Sequence, residues 1–476
     1  MKFLLNQFSA LLGVCDGRFR ATVLAAALFF YGVFLYFAWM DYPNPYVDEA
    51  FFVPPAQAFS QSYGFFSSNL DPHRALHWMP FGYAVLCGLF MKLSGVAGIW
   101  GARLFSTVVF GLALLLLAVI GKKLNKLQLL LLYAPFLTMP MLTLARLGRM
   151  EALFLLLVLT SLWLMLSMRL IAALAVALLS GLVHPNGAYV LLGCSALVLA
   201  QVRTLGWRSA FALARRDMPV LVLALVCVLT YAIYELSAYQ DFVMDMSYQF
   251  KRKARGLNLF SPLNMFSFAV IVAGGAWALF SYTWERAVFV AFGVGLILAR
   301  VAGQEIWYSP GYIVGLTMML VAVLPEPMAS TSTWRPGWMA VLVAASLGAV
   351  FTFSTFVLGW HGGRIYAVKR DAGVPDDAKQ AEAIVRQLLV RKNGSERPSS
   401  VSCIPFYECL LLVNPAAQAG LHVRLRNPVT APPIGEDCVF VSRATPAQST
   451  GDEIHLNPGR IVSFEIRPCG LTWPTP

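Results

Sequence analysis

The chain has 476 residues, of which 58% are hydrophobic and 13% charged, and its formal net charge is +12. A soluble domain carries about 25% charged residues, so the composition and a mean hydropathy of +0.66 exclude an ordinary soluble protein. What remains is a polytopic α-helical membrane protein, in which Lys and Arg collect at the cytoplasmic helix ends; membrane lipids, and no nucleic acid, are the expected surroundings.

A span needs about 20 apolar residues. Lys2, Arg18 and Arg20 precede the first candidate and put the N-terminus in the cytoplasm. Residues 21–40 lack a cleavage site and read as an uncleaved anchor and first span. A first outer loop follows, at about 41–99. Its part from Pro80 to Met91 is apolar but too short to span, which suits an interfacial or re-entrant helix. The second span, 100–121, ends at Lys122, Lys123 and Lys126. Further spans fall at 127–144, 152–168, 170–183, 188–201 and 218–236. Between the last two lies a basic inside loop with Arg203, Arg208, Arg215 and Arg216. A polar outer loop carries Asp241, Asp245 and Lys251 to Arg255. Spans at 262–282, 288–302, 311–324 and 337–359 complete a count of about eleven, N-in and C-out.

From about His361 the composition turns polar. Residues 366–392 alternate as an amphipathic helix does, and short β-like runs surround Cys438–Val441 and Ile461–Ile466. The chain therefore divides into a membrane domain, 1–360, and a small α+β domain, 361–476, on the outer side. Four of the eight cysteines, Cys403, Cys409, Cys438 and Cys469, fall in that tail. They suggest two disulfides in an oxidising compartment. Cys15, Cys87, Cys194 and Cys227 lie in or near apolar segments as packing residues.

This topology puts most unusual polar residues on one face: Asp48, Glu49, His77, Arg146, Arg149, Glu151, His184, Asn186, Lys251, Arg252, Glu305 and Tyr308. Asp48 and Glu49 are adjacent, so they cannot both address one atom; one suits catalysis and the other structure. A carboxylate near the membrane surface suits a general base. Asp48 also precedes an apolar stretch, where it can cap a helix. Glu151 can simply pair with Arg149, and His184 before Pro185 can be a satisfied loop histidine. Lys251-Arg252-Lys253-Ala254-Arg255 opposes the positive-inside bias, and an anionic ligand such as a lipid phosphate would account for it. There is no P-loop and no Gly-rich dinucleotide motif. His and Cys spacing gives no strong metal site, so no cofactor is expected.

The order of motifs over residues 20–325 resembles the glycosyltransferase C superfamily. Within it, the protein O-mannosyltransferase and lipid A aminoarabinose transferase branch is the most similar. The residues that carry the resemblance are Val47-Asp48-Glu49-Ala50-Phe51-Phe52, His77-Trp78-Met79-Pro80-Phe81-Gly82-Tyr83, Ala102-Arg103-Leu104-Phe105-Ser106, Arg146-Leu147-Gly148-Arg149-Met150-Glu151-Ala152 and Trp307-Tyr308-Ser309-Pro310. Two departures stand out: Glu151 where Asp is usual, and His77 near the usual Lys. The resemblance implies transfer from a polyprenyl-phosphate sugar donor to a hydroxyl of a lipid, polysaccharide or protein acceptor. The setting would be the periplasmic face of a bacterial inner membrane. It implies Asp48 as general base, with Glu49 and Glu151 as the other carboxylates of the site. Arg146, Arg149, Lys251 and Arg252 would hold the donor phosphate, and His77, His184, Glu305 and Tyr308 the substrates. No metal is expected. A transporter or lipid-linked-glycan flippase is the rival, and would favour mid-membrane charges and internal symmetry between halves. A receptor whose outer tail binds glycans is a third reading.

Overall fold

In the computed structural model the described residues are 15–40, 49–62, 77, 79–254, 260–303 and 309–324, plus the backbone of five strands between 400 and 468. The membrane part is all helical. In chain order the helices are α1 (Gly17–Met40), α2 (Glu49–Ser62), α3 (Gly82–Ser94), α4 (Gly98–Ile120), α5 (Lys126–Tyr133), α6 (Met139–Arg146) and α7 (Glu151–Leu166). Then follow α8 (Leu170–Val183), α9 (Gly187–Leu205), α10 (Trp207–Ser237), α11 (Tyr239–Ala254), α12 (Pro262–Phe280), α13 (Trp284–Gly303) and α14 (Ser309–Val323). Among the described residues six helical stretches are long and apolar enough to cross a membrane: Gly17–Tyr36, Gly98–Lys123, Gly187–Leu205, Arg215–Ser237, Pro262–Phe280 and Trp284–Gly303. α3, α7, α8 and the apolar stretches Lys126–Leu137 and Pro310–Val323 are shorter.

Local chemistry sets the ends. Asp16 caps α1, its carboxylate accepting the Phe19 N–H at 2.7 Å, and that bond holds its carboxyl below the usual range. Asn125 and Gln128 form a reciprocal capping box at α5. The expected single span 127–144 is instead broken. Pro135 opens a 3₁₀ turn, Ala134–Leu137, and Pro140 sits in the first turn of α6.

Large apolar side chains point outward on α1, α9, α10 and α12, among them Phe29, Leu192, Leu229 and Phe280. A lipid-facing surface carries such side chains. Inside, α4 packs against α1, α2, α3, α6 and α7, burying Phe110, Leu114, Leu117 and Ile120. α13 and α14 approach through glycine. A Cβ on Gly293 would lie 2.9 Å from the Gly315 carbonyl oxygen, and one on Gly315 would lie 3.0 Å from that of Gly293. Small residues let membrane helices meet this closely.

The helices run between two chemically distinct ends. α4 starts near Arg103 and ends at Lys122 and Lys123. α5 and α6 return to Arg146. α7 leaves Glu151 and descends to Met165, whose carbonyl accepts the Trp284 indole N–H at 3.1 Å. α8 climbs from Arg169 to His184. At the basic end Arg169 also bonds the buried Asp217 at 2.6 Å, tying the α7–α8 turn to α10. The other end gathers Glu49, Glu151, Glu235, His77 and His184.

One stretch differs from expectation. The segment read as a polar outer loop, from Asp241 through Lys253, is the helix α11. Its period explains this: Asp241, Phe242, Asp245 and Met246 are half-buried, while Tyr239, Val243, Met244 and Phe250 are exposed.

In the tail, the five strands form one sheet of order β2-β1-β3-β5-β4, with β1 (Ser400–Ile404), β2 (His422–Leu425), β3 (Asp437–Ala444), β4 (His455–Asn457) and β5 (Arg460–Pro468). β1 runs parallel to β2 and β3, and β3 pairs antiparallel with β5. The β-like runs around 438–441 and 461–466 thus fall in paired strands. Cys403 stands opposite Val439 and Cys438 opposite Ser402. The side chains of both, like all of Cys409 and Cys469, lie outside the described residues, and so does the expected disulfide pairing. The same holds for the expected span 337–359 and the helix 366–392.

Candidate functional site

The site is built from short turns at one end of the bundle. Glu49 opens α2 and is fully buried. Arg103, one turn into α4, grips it with Nε on Oε1 at 2.8 Å and Nη2 on Oε2 at 2.6 Å. The Gly148 backbone N–H donates to Oε1 at 2.7 Å. A Cβ on Gly148 would lie 2.8 Å from that of Ala102 and 3.3 Å from Glu49 Oε1, so glycine lets the α6–α7 link approach. One carboxylate therefore fastens the N-terminus of α2, α4 and the α6–α7 link together.

Arg149, the next residue of that link, and Glu151, the first of α7, continue the network. Arg149 donates through Nε and Nη2 to the Glu151 carboxylate at 2.5–3.1 Å. Its guanidinium carbon lies 5.7 Å from the Phe52 ring centroid on α2. Arg146, also buried, lies 5.9 Å from the Phe34 ring of α1. Beyond Glu151 lies a narrow cleft of about 20 Å³, lined by Glu151, Phe154, His184, Asn186, Pro310 and Gly311. His184 Nδ1 accepts the Asn186 N–H at 3.0 Å, and its ring packs on Phe154 at 4.9 Å. In the neutral ring the proton then sits on Nε2.

His77 belongs to a second cluster at this end. Its Nδ1 lies 2.8 Å from Glu235 Oε2, and its backbone N–H donates to Asp245 Oδ2 at 2.9 Å. The ring stacks on Tyr234 at 5.2 Å. With Nδ1 donating to Glu235, a neutral imidazole carries its lone pair on Nε2, which is buried without a hydrogen-bond partner. This cluster ties α10 and α11 to the segment leading into α3. Glu235→Leu strips the buried Nδ1 of its partner, an expected loss of about 1–3 kcal/mol. The double variant Glu235→Leu/His77→Phe keeps the ring stack, removes both partners and should recover most of it. Thermal unfolding in detergent measures both.

The structure thus joins Glu49, Arg149, Glu151 and His184 along one continuous set of turns, with Arg146 beside them. Lys251 sits exposed near the C-terminus of α11 and does not line the cleft. The Arg252 side chain, and all of Asp48, Glu305 and Tyr308, lie outside the described residues. Sequence reasoning quoted Arg103 only within the Ala102–Ser106 stretch, with no role, and missed Glu235 altogether. Each is a lone charge inside an apolar helical run, and an ionisable side chain within a membrane segment is by default a candidate for function. Among the described residues no group of three or more His, Cys, Asp or Glu is placed to hold a metal ion.

Helix length, hydropathy and the lipid-facing surface define a multi-pass α-helical membrane protein. No protein-family model matches the sequence, and no curated protein matches it.

Proposed function

We propose that this protein is a glycosyltransferase moving a sugar from a polyprenyl-phosphate donor to a cell-envelope acceptor hydroxyl. The observation that carries the reading is the meeting of two buried Arg–carboxylate pairs, Glu49–Arg103 and Arg149–Glu151, beside an apolar-walled cleft at one end of the bundle. Buried charges near a lipid-facing surface are costly unless paired, and their concentration at one end supports a role in handling a charged, lipid-borne substrate. The basic opposite end supports a cytoplasmic orientation for that end, and in this proposal the cleft faces the periplasm of a bacterial inner membrane.

In this reading the acceptor oxygen attacks the anomeric carbon while the bond to the phosphate oxygen breaks. Asp48 takes the acceptor proton, the prenyl phosphate leaves as an anion, and a single displacement inverts the anomeric centre. Arg149, oriented by Glu151, and Arg146 offset the charge that develops on the phosphate, with Lys251 and Arg252 nearer the headgroup plane. Glu49 is the structural member of its pair, because three N–H donors already engage its carboxylate. His184 and His77 Nε2 contact substrate hydroxyls, together with Glu305 and Tyr308. No metal takes part. The acceptor is a lipid, a polysaccharide or a protein.

The test is transfer of label from a radiolabelled polyprenyl-phosphate sugar pool into a cell-envelope acceptor extract by solubilised membranes. Label in the acceptor, dependent on the protein, is the expected result. Absence of transfer with every donor in the pool would remove the reading.

A further inference from the structure

At the basic end a second cavity, of about 180 Å³, opens among the C-terminal end of α4, the N-terminus of α13 and the C-terminal end of α14. It lies at the opposite ends of these helices from the cleft described above. Lys123, Glu285 and Arg286 line it, over an apolar floor that includes Phe289 and Val321. The neutral polar groups of its wall are already used. Gln128 donates to the Val321 carbonyl at 3.1 Å and accepts the Asn125 N–H at 2.9 Å. Thr283 accepts the Arg286 backbone N–H at 3.4 Å.

The charged groups have capacity left. Arg286 spends Nη1 on the Ser281 carbonyl at 2.8 Å, and its Nε is buried with no hydrogen-bond partner. A buried donor of this kind is costly to leave unmet. Lys123 is exposed at the rim. Beside the cavity, the residues leading to Thr283 present three large apolar side chains outward: Leu279, 80% exposed, Phe280, 91%, and Tyr282, 57%. Polar, doubly cationic lining next to a greasy outer wall fits an amphiphile better than a free ion.

We propose that this cavity binds the headgroup of an aminophospholipid from the leaflet at the basic end. Its phosphate meets Arg286 and Lys123 through charge-assisted hydrogen bonds. Its ammonium meets Glu285, the one carboxylate among the described lining residues. Its acyl chains lie along Leu279, Phe280 and Tyr282. The two cations and one carboxylate complement a headgroup that carries one negative and one positive charge. This site is independent of the transferase reading.

Native mass spectrometry of the full-length protein in detergent tests it, with phosphatidylethanolamine, phosphatidylglycerol and inorganic phosphate as probes. Phosphatidylethanolamine is expected to bind more tightly than phosphatidylglycerol. Lys123→Glu, an exposed position that leaves the core intact, and Arg286→Gln should each weaken it by about tenfold. Glu285→Gln should erase the preference between the two lipids. Retention unchanged in both Lys123→Glu and Arg286→Gln would overturn the site. Equal binding of the two lipids by the unaltered protein would overturn the headgroup assignment. Displacement of lipid by an equal concentration of inorganic phosphate would overturn the lipid assignment.

Discussion

Glu49→Ala is expected to destabilise the folded protein by about 3–5 kcal/mol, the usual cost of leaving one member of a buried ion pair alone. The cause is Arg103. Its guanidinium is buried on α4 and gives two bonds to Glu49. Removing the carboxylate also frees the Gly148 N–H, which donates to the same oxygen. Three segments lose their common fastening at once. Total stabilities of about 5–15 kcal/mol make such a loss visible as aggregation or poor recovery from detergent. The companion variant Glu49→Ala/Arg103→Leu removes the stranded charge, and replacing a buried pair by apolar groups is often neutral. It should therefore recover most of the stability. Unfolding monitored by size-exclusion chromatography after heating separates the two. If Glu49→Ala melts with the unaltered protein, the clamp does not hold this end together. The double variant also carries a functional readout: transfer activity retained in it would confine Glu49 to positioning.

Most of the helical frame was legible in the sequence, because lipid-facing helices announce themselves by length and hydropathy. The residues around 100–121, 188–201 and 288–302 fall in helices that the apolar runs marked. Where local geometry competes with hydropathy, reading failed. Pro135 and Pro140 broke an apolar stretch that looked continuous. The charges of Asp241–Lys253 suggested a loop, although their spacing follows an amphipathic helix. The site was legible only as a set of types. Glu49, Arg149, Glu151 and His184 were named, but their partners depend on contacts that sequence distance hides. Glu49 meets Arg103 54 positions on and Gly148 99 positions on. His77 meets Glu235 at a separation of 158. Arg103 stands in the Ala102–Ser106 stretch without an assigned role and Glu235 in no motif, and each looks like one stray charge in a greasy run. The pairing follows only after folding, when a buried charge takes the nearest opposite charge.

Asp48→Asn is expected to lower the transfer rate by about 10²–10⁴-fold, the range that a positioned general base contributes. Asparagine keeps the size and one acceptor oxygen but cannot take a proton from the incoming hydroxyl. Donor binding should be unchanged, since the phosphate is assigned to cations, chiefly Arg149 beside Glu151. The loss therefore falls on kcat, with KM for the donor little altered. That split separates a base from a binding residue. Arg149→Gln offers the contrast. It removes the charge that the proposal sets against the departing phosphate, and it should weaken donor binding as well as the rate. The assay uses radiolabelled polyprenyl-phosphate sugar, envelope acceptor and solubilised membranes carrying each variant at matched protein levels. Anomeric analysis of the product adds an independent reading, because a single displacement yields the inverted sugar alone. Transfer by Asp48→Asn at the unaltered rate would strip Asp48 of the role and pass it to Glu151, the remaining carboxylate that lines the cleft. Retained configuration in the product would instead require a covalent intermediate, and with it a nucleophile that the single-displacement scheme does not contain.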